Sequence, residues 1–321
     1  MGEFELIRQF FAAAQCARAG EGVALGIGDD CALLQVAAGE QLAVSTDTLV
    51  EGVHFPLAAD PLLLGQRALA VAVSDLAAMG AAPLAFTLAL TLPSVSADWL
   101  RAFAQGLDSM AEACAVRLVG GDTTRGPLSL TVTVFGSVPA GQALTRAGAQ
   151  IGDLLCVGGP LGDAAGALPL VLGERSAAES IGKPLLDRYW SPQPQLALGQ
   201  ALRGRATAAL DISDGLLADC GHIALASGVA LQIEQSRLPL SDALQQWLGQ
   251  ADARHAALTG GDDYILAFTL PPAHLATLLA EGWSVSVIGS VQAGAGVTLV
   301  DAQGQDITPA IRGYQHFRET P

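Results

Sequence analysis

Lysine is nearly absent from this chain: Lys183 is the only lysine among 16 basic residues. A P-loop places its lysine after Gly-x4-Gly, whereas Lys183 lies in SAAESIGKPLL, with alanine where the first glycine belongs and proline after the lysine. A protein-kinase core also needs a strand lysine on the nucleotide phosphates. Both common lysine-based phosphate sites are therefore excluded, so metal ions or backbone amides must neutralise any phosphate that binds.

Paired cysteines, long apolar runs and a basic surface are missing too. The five cysteines are scattered, with no Cys-x-x-Cys pair, which argues against a disulfide framework and a structural zinc site. No apolar run reaches the ~18 residues that span a bilayer, and MGEFELIRQFF lacks the basic start of a signal peptide. A net charge of −15 argues against nucleic acid and anionic membranes as partners. We expect a cytoplasmic protein with small-molecule ligands.

The pattern of the chain predicts two domains of mixed structure. Its 321 residues, 51% of them apolar, suffice for two cores. Strands are predicted over 41–48 and 83–93, with a helix over 60–80 between them. Helices alternate with strand pairs in both halves, which favours an α+β class over a repeated βαβ order. The predicted domains are residues 1–148 and 149–321.

Asp75 is the most unusual carboxylate in the sequence. On the predicted helix, its neighbours three and four positions away are Val71, Ala72, Ala78 and Met79, so Asp75 lies on an apolar stripe. A buried carboxylate must be neutralised, paired or bound to a metal ion. The alternative interpretation is a capping residue where one helix ends and another begins.

Other acidic residues recur at predicted strand ends and turns. They are Asp29 and Asp30 after Gly-Ile-Gly, Asp47 beside the hydroxyls of Ser45 and Thr46, Asp122 after Gly120 and Gly121, and Asp211 and Asp214 on either side of Ser213. A role in a turn is the alternative for Asp29, Asp30, Asp47 and Asp122, and capping of the next helix by Ser213 or Asp214 is the alternative for the last segment. No cluster of histidine or cysteine accompanies them, and oxygen-only ligands suit Mg²⁺ or Ca²⁺ rather than zinc.

Two classes of function fit this pattern. Without phosphate-binding lysines, Mg²⁺ that bridges the phosphates of a nucleotide is the economical interpretation. A non-catalytic Ca²⁺-binding protein is the other, but no EF-hand loop occurs and the aspartates are spread over both halves.

Seven segments resemble, in the expected order, those of the thiamine-monophosphate kinase family: GIGDDCA, STDTLVEGVHF, AVSDLAAMGA, GGDTTRGPL, ALTRAGAQIGD, ISDGLLAD and GGDDY. The resemblance implies transfer of the ATP γ-phosphoryl group to thiamine monophosphate by direct, in-line, Mg²⁺-assisted transfer. The wider superfamily, similar to aminoimidazole ribonucleotide synthetase, implies an N-terminal domain that forms a barrel across a homodimer and a C-terminal α+β domain. Selenophosphate synthetase-like and hydrogenase-maturation-like enzymes are the alternatives within that superfamily.

The resemblance also implies residue roles, carried over position by position. Several Mg²⁺ ions would be held by Asp30, Ser45, Thr46, Asp47, Asp75, Asp122, Asp211 and Asp214. ATP would contact Gly121, Asp122, Arg146 and Ser213, and thiamine monophosphate would contact His54, Asp262 and Tyr314. Asp75, Asp122 and Arg146 form the implied catalytic set. The family usually has Gly-Gly-Glu-Asp-Tyr-Glu-Leu where this chain has GGDDYIL. Asp262 therefore has a shorter side chain than the usual glutamate, and Ile265 replaces a carboxylate.

Overall fold

The computed structural model describes residues 3–18, 20–28 and 31–314. The chain divides into two compact units. Unit 1 comprises Met1–Leu76 and Ala81–Ala143, and unit 2 comprises Ala77–Gly80 and Leu144–Pro321. Each unit combines helices with a sheet, which confirms the mixed α and β content predicted from the sequence. The division predicted between residues 148 and 149 stays a prediction.

Unit 1 contains a four-stranded sheet and two long helices. In chain order its elements are α1 (Glu3–Leu6), a π-helix (Ile7–Ala12), a 3-10 helix (Gln15–Ala17), β1 (Val23–Leu25), β2 (Leu33–Leu34), β3 (Glu40–Val50), α2 (Pro61–Ala78, shared with unit 2), β4 (Ala82–Leu92), α3 (Ala97–Cys114), β5 (Arg117–Arg125) and β6 (Ser129–Pro139). The sheet order is β3-β6-β4-β5, with β4 and β5 parallel and the other neighbours antiparallel.

The two faces of this sheet differ in polarity. Buried residues such as Leu88 and Val132 point to one face, where Leu76 of α2 lies against Gly136. The opposite face carries threonines and two exposed apolar side chains, Leu42 and Val44, which are 46% and 54% exposed. Because side chains alternate along a strand, this difference assigns every residue of β3 to a face.

Two strands extend further than the sequence predicts. β3 pairs with β6 along its whole length to Val50, so Asp47 lies inside the strand instead of at its end. β5 continues through Gly120 and Gly121 to Arg125, where a turn was predicted before Asp122. The glycines signalled a turn, but here they allow close pairing with β4 instead, so both strand-end predictions were wrong.

Unit 2 is built on a six-stranded sheet of order β12-β9-β11-β7-β10-β8. Its strands are β7 (Leu154–Val157), β8 (Ala208–Asp211), β9 (Ala230–Glu234), β10 (Leu266–Leu270), β11 (Ser286–Gln292) and β12 (Gly296–Val300). Its helices are α4 (Asp163–Val171), α5 (Glu179–Trp190), α6 (Leu196–Leu202), α7 (Leu216–Ser227), α8 (Asp242–Thr259) and α9 (Pro272–Ala280). Two apolar clusters, each containing residues of several strands, form its core.

Among the described residues, α2 alone is long and apolar enough to cross a bilayer by length and composition. The fold buries 72% of this helix. A buried core helix passes the same test, so the finding carries no weight as evidence for a membrane span.

Candidate functional site

Asp75 lies against β3 in unit 1. Its carboxylate is half-buried on α2, next to the buried side chains of Val71 and Ala72, and it accepts a hydrogen bond from the Ser45 hydroxyl. The helix continues through Asp75 to Ala78, which excludes the alternative that Asp75 caps a helix end. The carboxylate therefore sits on an apolar helix face, as the sequence predicts, with one hydroxyl partner.

The neighbouring ligand candidates on β3 are divided between the two faces of the sheet. Ser45 and Asp47 share the face toward Asp75, because they are two residues apart. Thr46 points to the opposite face, where its Oγ1 lies 2.9 Å from Oγ1 of Thr133. Two oxygen-bearing side chains of this segment, Ser45 and Asp47, therefore face α2, and the Thr46 hydroxyl does not.

Gly121 and Asp122 line a cavity of about 1130 Å³ in unit 1. Its other lining residues are Ile7, Arg8, Phe11, Ala12, Ile27, Gly28, Cys31, Ala32, Thr87, Leu88, Leu118, Val119, Gly120 and Thr123. Register pairs Asp122 with Ala89, on the threonine-bearing face. The cavity thus offers an apolar wall, strand backbone and two charged side chains, Arg8 and Asp122, which suits an uncharged ring joined to a charged group.

His54 is held in one tautomer by the turn after β3. The Val50 N–H donates to His54 Nδ1 at 3.0 Å, and the His54 N–H donates to the Val50 carbonyl at 2.9 Å. Since Nδ1 accepts, the neutral ring carries its proton on Nε2. The half-buried ring thus carries an Nε2–H group, a donor of the type that phosphate oxygens accept.

Three loops of unit 2 converge on four predicted site residues. The Asp262 N–H donates to the Ser213 carbonyl at 2.9 Å, and the Tyr314 N–H donates to the Asp214 carbonyl at 2.9 Å. Tyr264 Oη also donates to Asp262 Oδ1 at 3.1 Å. Residues predicted for ATP and metal binding and residues predicted for thiamine monophosphate thus come together in this unit.

Asp211 and Arg146 differ in their relation to this loop cluster. Asp211 is the last residue of β8 and is buried, directly before the cluster. The Arg146 carbonyl accepts a hydrogen bond from Ser227, at the far end of the 12-residue helix α7. That helix is about 18 Å long at 1.5 Å per residue, so the backbone of Arg146 lies far from Ser213 in the same chain.

Asp219 organises the loop between β8 and α7 and is not among the residues predicted from the sequence. Its Oδ2 accepts the backbone N–H groups of Ser213, Asp214 and Gly215, each at 3.0 Å. Neither Ser213 nor Asp214 caps α7, contrary to the capping alternative. Burial raises the pKa of Asp219 to about 6, against the opposing effect of the amide donors. An acidic residue four positions into a helix is the sequence signal that was available.

We expect an Asp219→Asn variant to change how stability depends on pH. The folded protein holds the Asp219 proton more tightly than the unfolded chain, so this contribution is full below about pH 4 and is lost as pH rises through 6. Between pH 5 and 7.5 the free energy of unfolding of the wild type should fall by about 1.4 kcal/mol relative to the variant. Urea unfolding in metal-free buffer measures the difference.

The exposed residue Asp252 supplies the control for this experiment. Asp252→Asn reports the effect of removing one negative charge from the same unit. Parallel stability curves for wild type and Asp219→Asn would contradict the assignment.

Three residues singled out in the sequence are not placed in the site by the structure: Asp29, Asp30 and Ile265. Asp29 and Asp30 lie outside the described residues, and the described ranges contain no group of three or more His, Cys, Asp or Glu placed to hold a metal ion. Ile265, where the family usually has a glutamate, is 3% exposed and packs in the core of unit 2. The metal set assigned from the sequence therefore stays a prediction.

Comparison with known proteins identifies the domains and the family. Residues 28–138 match the N-terminal domain, and residues 150–302 the C-terminal domain, of AIR synthase related proteins. The thiamine-monophosphate kinase of Escherichia coli K12 is 43% identical, over 98% of both chains. That of Haemophilus influenzae is 41% identical, over 100% of this chain and 99% of the relative.

Solved structures agree with this likeness. The thiamine-monophosphate kinase of Stenotrophomonas maltophilia is 49% identical, with a TM-score of 0.83 over 87% of this chain and 91% of that chain. AaThiL complexed with AMPPCP and TMP is 31% identical, with a TM-score of 0.80 over 88% of this chain and 89% of that chain. HypE of E. coli, at 23% identity and a TM-score of 0.75, shares the fold alone. The chain belongs to the thiamine-monophosphate kinase family.

Proposed function

We propose that this protein transfers the γ-phosphoryl group of ATP to thiamine monophosphate, giving thiamine diphosphate and ADP. The observation that carries the proposal is the near full-length similarity to thiamine-monophosphate kinases. The likeness to AaThiL, whose structure holds AMPPCP and TMP, supports both substrates. ATP would contact Gly121, Asp122, Arg146 and Ser213, of which Gly121 and Asp122 line the cavity of unit 1. Thiamine monophosphate would contact His54, Asp262 and Tyr314.

The chemistry of this transfer requires little from protein acids and bases. The acceptor is a phosphate oxygen that is already anionic near neutral pH, so no strong general base is needed. The main obstacle is repulsion between two phosphate-bearing anions, and positive charge must offset it. Arg146, which is exposed on the loop before β7, is the proposed protein source of this charge.

The remaining positive charge would come from several Mg²⁺ ions. The donors Ser45, Asp47 and Asp75 fit a hard cation, because they present only oxygen atoms on one face of β3 and α2. Thr46, Asp122, Asp211, Asp214 and Asp30 complete the proposed ligand set. When bound, Mg²⁺ neutralises the phosphate oxygens of the nucleotide and its acceptor.

Direct transfer is tested with ATP that carries a chiral γ-thiophosphate. A single in-line displacement inverts the configuration at phosphorus, and we expect inversion in the thiamine diphosphate analogue formed. Retention of configuration, or isolation of a phosphorylated protein during turnover, would show a two-step route and contradict the proposal.

We further propose that two copies of unit 1 pair through the threonine-bearing face of the sheet, forming a barrel across a homodimer. Support comes from Leu42 and Val44, which are apolar and about half exposed on that face. Exposed apolar side chains grouped on one sheet face are typical of an interaction surface. We also infer a cytoplasmic enzyme that binds neither nucleic acid nor membranes, consistent with its net charge of −15.

A Val44→Asp variant should therefore shift the protein from dimer to monomer. A charge on this face would lose its water on association, which costs far more than the apolar contact gains. We expect the dimer dissociation constant to rise at least about a hundredfold by analytical ultracentrifugation, with Leu225→Asp, on an 82% exposed site in unit 2, as the control. An unchanged dimer in Val44→Asp would contradict this interface.

A further inference from the structure

Asp263 is a buried carboxylate directly after the predicted substrate residue Asp262, and the proposed transfer does not use it. It is 7% exposed, and both of its oxygens lie 2.9 Å from the backbone nitrogen of Gly162. Gly162 is the N-cap residue of α4. This contact therefore ties the loop of residues 260–265 to the start of a helix about a hundred positions earlier in the chain.

The backbone on both sides of Asp263 adopts a conformation that side chains disfavour. Asp262 has a φ of 69° and Tyr264 a φ of 50°. Such residues persist only where their surroundings hold them, and they concentrate at functional sites. Here the Asp262 and Tyr264 N–H groups donate to the carbonyls of Ser213 and Ile212. The side chain of Asp263, the residue between Asp262 and Tyr264, adds a contact to Gly162.

The partner of Asp263 is itself fixed in place. Gly162 has a φ of 85°, and a Cβ there would lie 2.6 Å from the Ala257 nitrogen, so the start of α4 is pressed against α8. The next residue, Asp163, is 5% exposed and accepts the Ser241 hydroxyl at 2.6 Å. Arg188 Nε lies 4.0 Å from Asp163 Oδ2, which places one cation beside this acidic pair. The carboxylate of Asp263 thus binds a backbone N–H whose position is fixed by the packing of α4 against α8.

We propose that Asp263 is a positioning residue for the substrate: by binding the Gly162 N–H it holds the 260–265 loop in its left-handed conformation and aims the Asp262 carboxylate at thiamine monophosphate. The proposal rests on the proposed function, because that function supplies the substrate. Thiamine carries a permanently cationic thiazolium ring, so a fixed carboxylate has a partner of opposite charge. Two of the proposed ATP contacts, Gly121 and Asp122, belong to unit 1 and not to this loop, so the effect on ATP should be the smaller one.

The test compares Asp263→Asn and Asp263→Ala with Asp153→Asn as a matched control. Asp153 is also buried in unit 2, where it accepts the Gln150 N–H at 2.9 Å and the Thr207 hydroxyl at 2.6 Å. It lies directly before β7, whereas Gly162 lies after that strand, so its hydrogen bonds do not involve the 260–265 loop. Two readouts are taken: KM for each substrate with kcat, and amide hydrogen exchange of residues 260–265. Asp263→Asn retains one acceptor oxygen and serves if Asp263→Ala does not fold.

In Asp263→Ala, which removes the acceptor, we expect KM for thiamine monophosphate to rise about tenfold, KM for ATP to change less than about twofold, and exchange of the loop to speed up about tenfold; Asp263→Asn should show the same changes to a smaller extent. Asp153→Asn should change neither KM nor loop exchange. Unchanged exchange, faster exchange with an unchanged KM, or equal increases in both KM values would overturn the proposal. A wild type that forms no thiamine diphosphate would refute the proposed function instead, and the exchange readout would still decide whether Asp263 holds the loop.

Discussion

An Asp75→Asn variant is expected to lose at least about a hundredfold in the rate of thiamine diphosphate formation. Asparagine has the same size, and its carbonyl oxygen can still accept the Ser45 hydroxyl, so the packing of α2 on β3 should survive. What disappears is a negative charge on an otherwise apolar helix face, where the neighbours Val71 and Ala72 are buried. Steady-state kinetics over a range of Mg²⁺ concentrations measures the loss.

The surface residue Asp98 provides the control for this variant. Its side chain is 93% exposed and pairs with Arg101 within α3, an interaction worth little in solution. Asp98→Asn should therefore keep wild-type activity and the same Mg²⁺ dependence. If Asp75→Asn also kept more than a tenth of the activity with an unchanged Mg²⁺ dependence, the metal role of Asp75 would be wrong.

A Gly121→Ala variant should lower the free energy of unfolding by about 3 kcal/mol, the upper range for overpacking a folded interior. Gly121 has a φ of 152°, and a Cβ there would lie 1.9 Å from the Leu88 carbonyl oxygen. The methyl group must push the edge strand β5 away from β4, which also displaces the next residue, Asp122. We therefore expect ATP use to fall together with stability.

The neighbouring glycine makes the comparison specific. At Gly120 the nearest atom to an added Cβ is Thr87 Cγ2 at 3.7 Å, an ordinary contact. Gly120→Ala should change the free energy of unfolding by less than about 1 kcal/mol. Equal denaturant midpoints for the two variants would show that β5 accommodates the added methyl group without loss of stability. That result would contradict the claim that the close contact of Gly121 with Leu88 requires a glycine.

Local periodicity explains why the position of Asp75 was predictable. A polar residue on an apolar helical stripe is visible from neighbours three and four positions away, and the structure confirms both the helix and the burial of those neighbours. Asp47 was expected near the end of the strand predicted over 41–48, and Asp122 was expected just after a strand because glycines often mark turns. Pairing with β6 and β4 overrode that preference and extended both strands.

Asp219 and Asp263 were missed for a different reason. Their roles depend on backbone N–H groups that are brought to them by the fold: three from the loop before α7, and one from Gly162. The position of Asp219 in the first turn of α7 was a weak signal, but an acidic residue there is equally compatible with an exposed side chain, and Asp263 had no comparable signal. Such residues become recognisable only when burial and hydrogen-bond partners are known.

The most direct measurement is product analysis after the purified protein is incubated with ATP, Mg²⁺ and thiamine monophosphate. Thiamine diphosphate and ADP should form in equal amounts, and neither should form without Mg²⁺. Release of ADP and free phosphate with no thiamine diphosphate would contradict the proposed function and point to a different phosphoryl acceptor in the same superfamily.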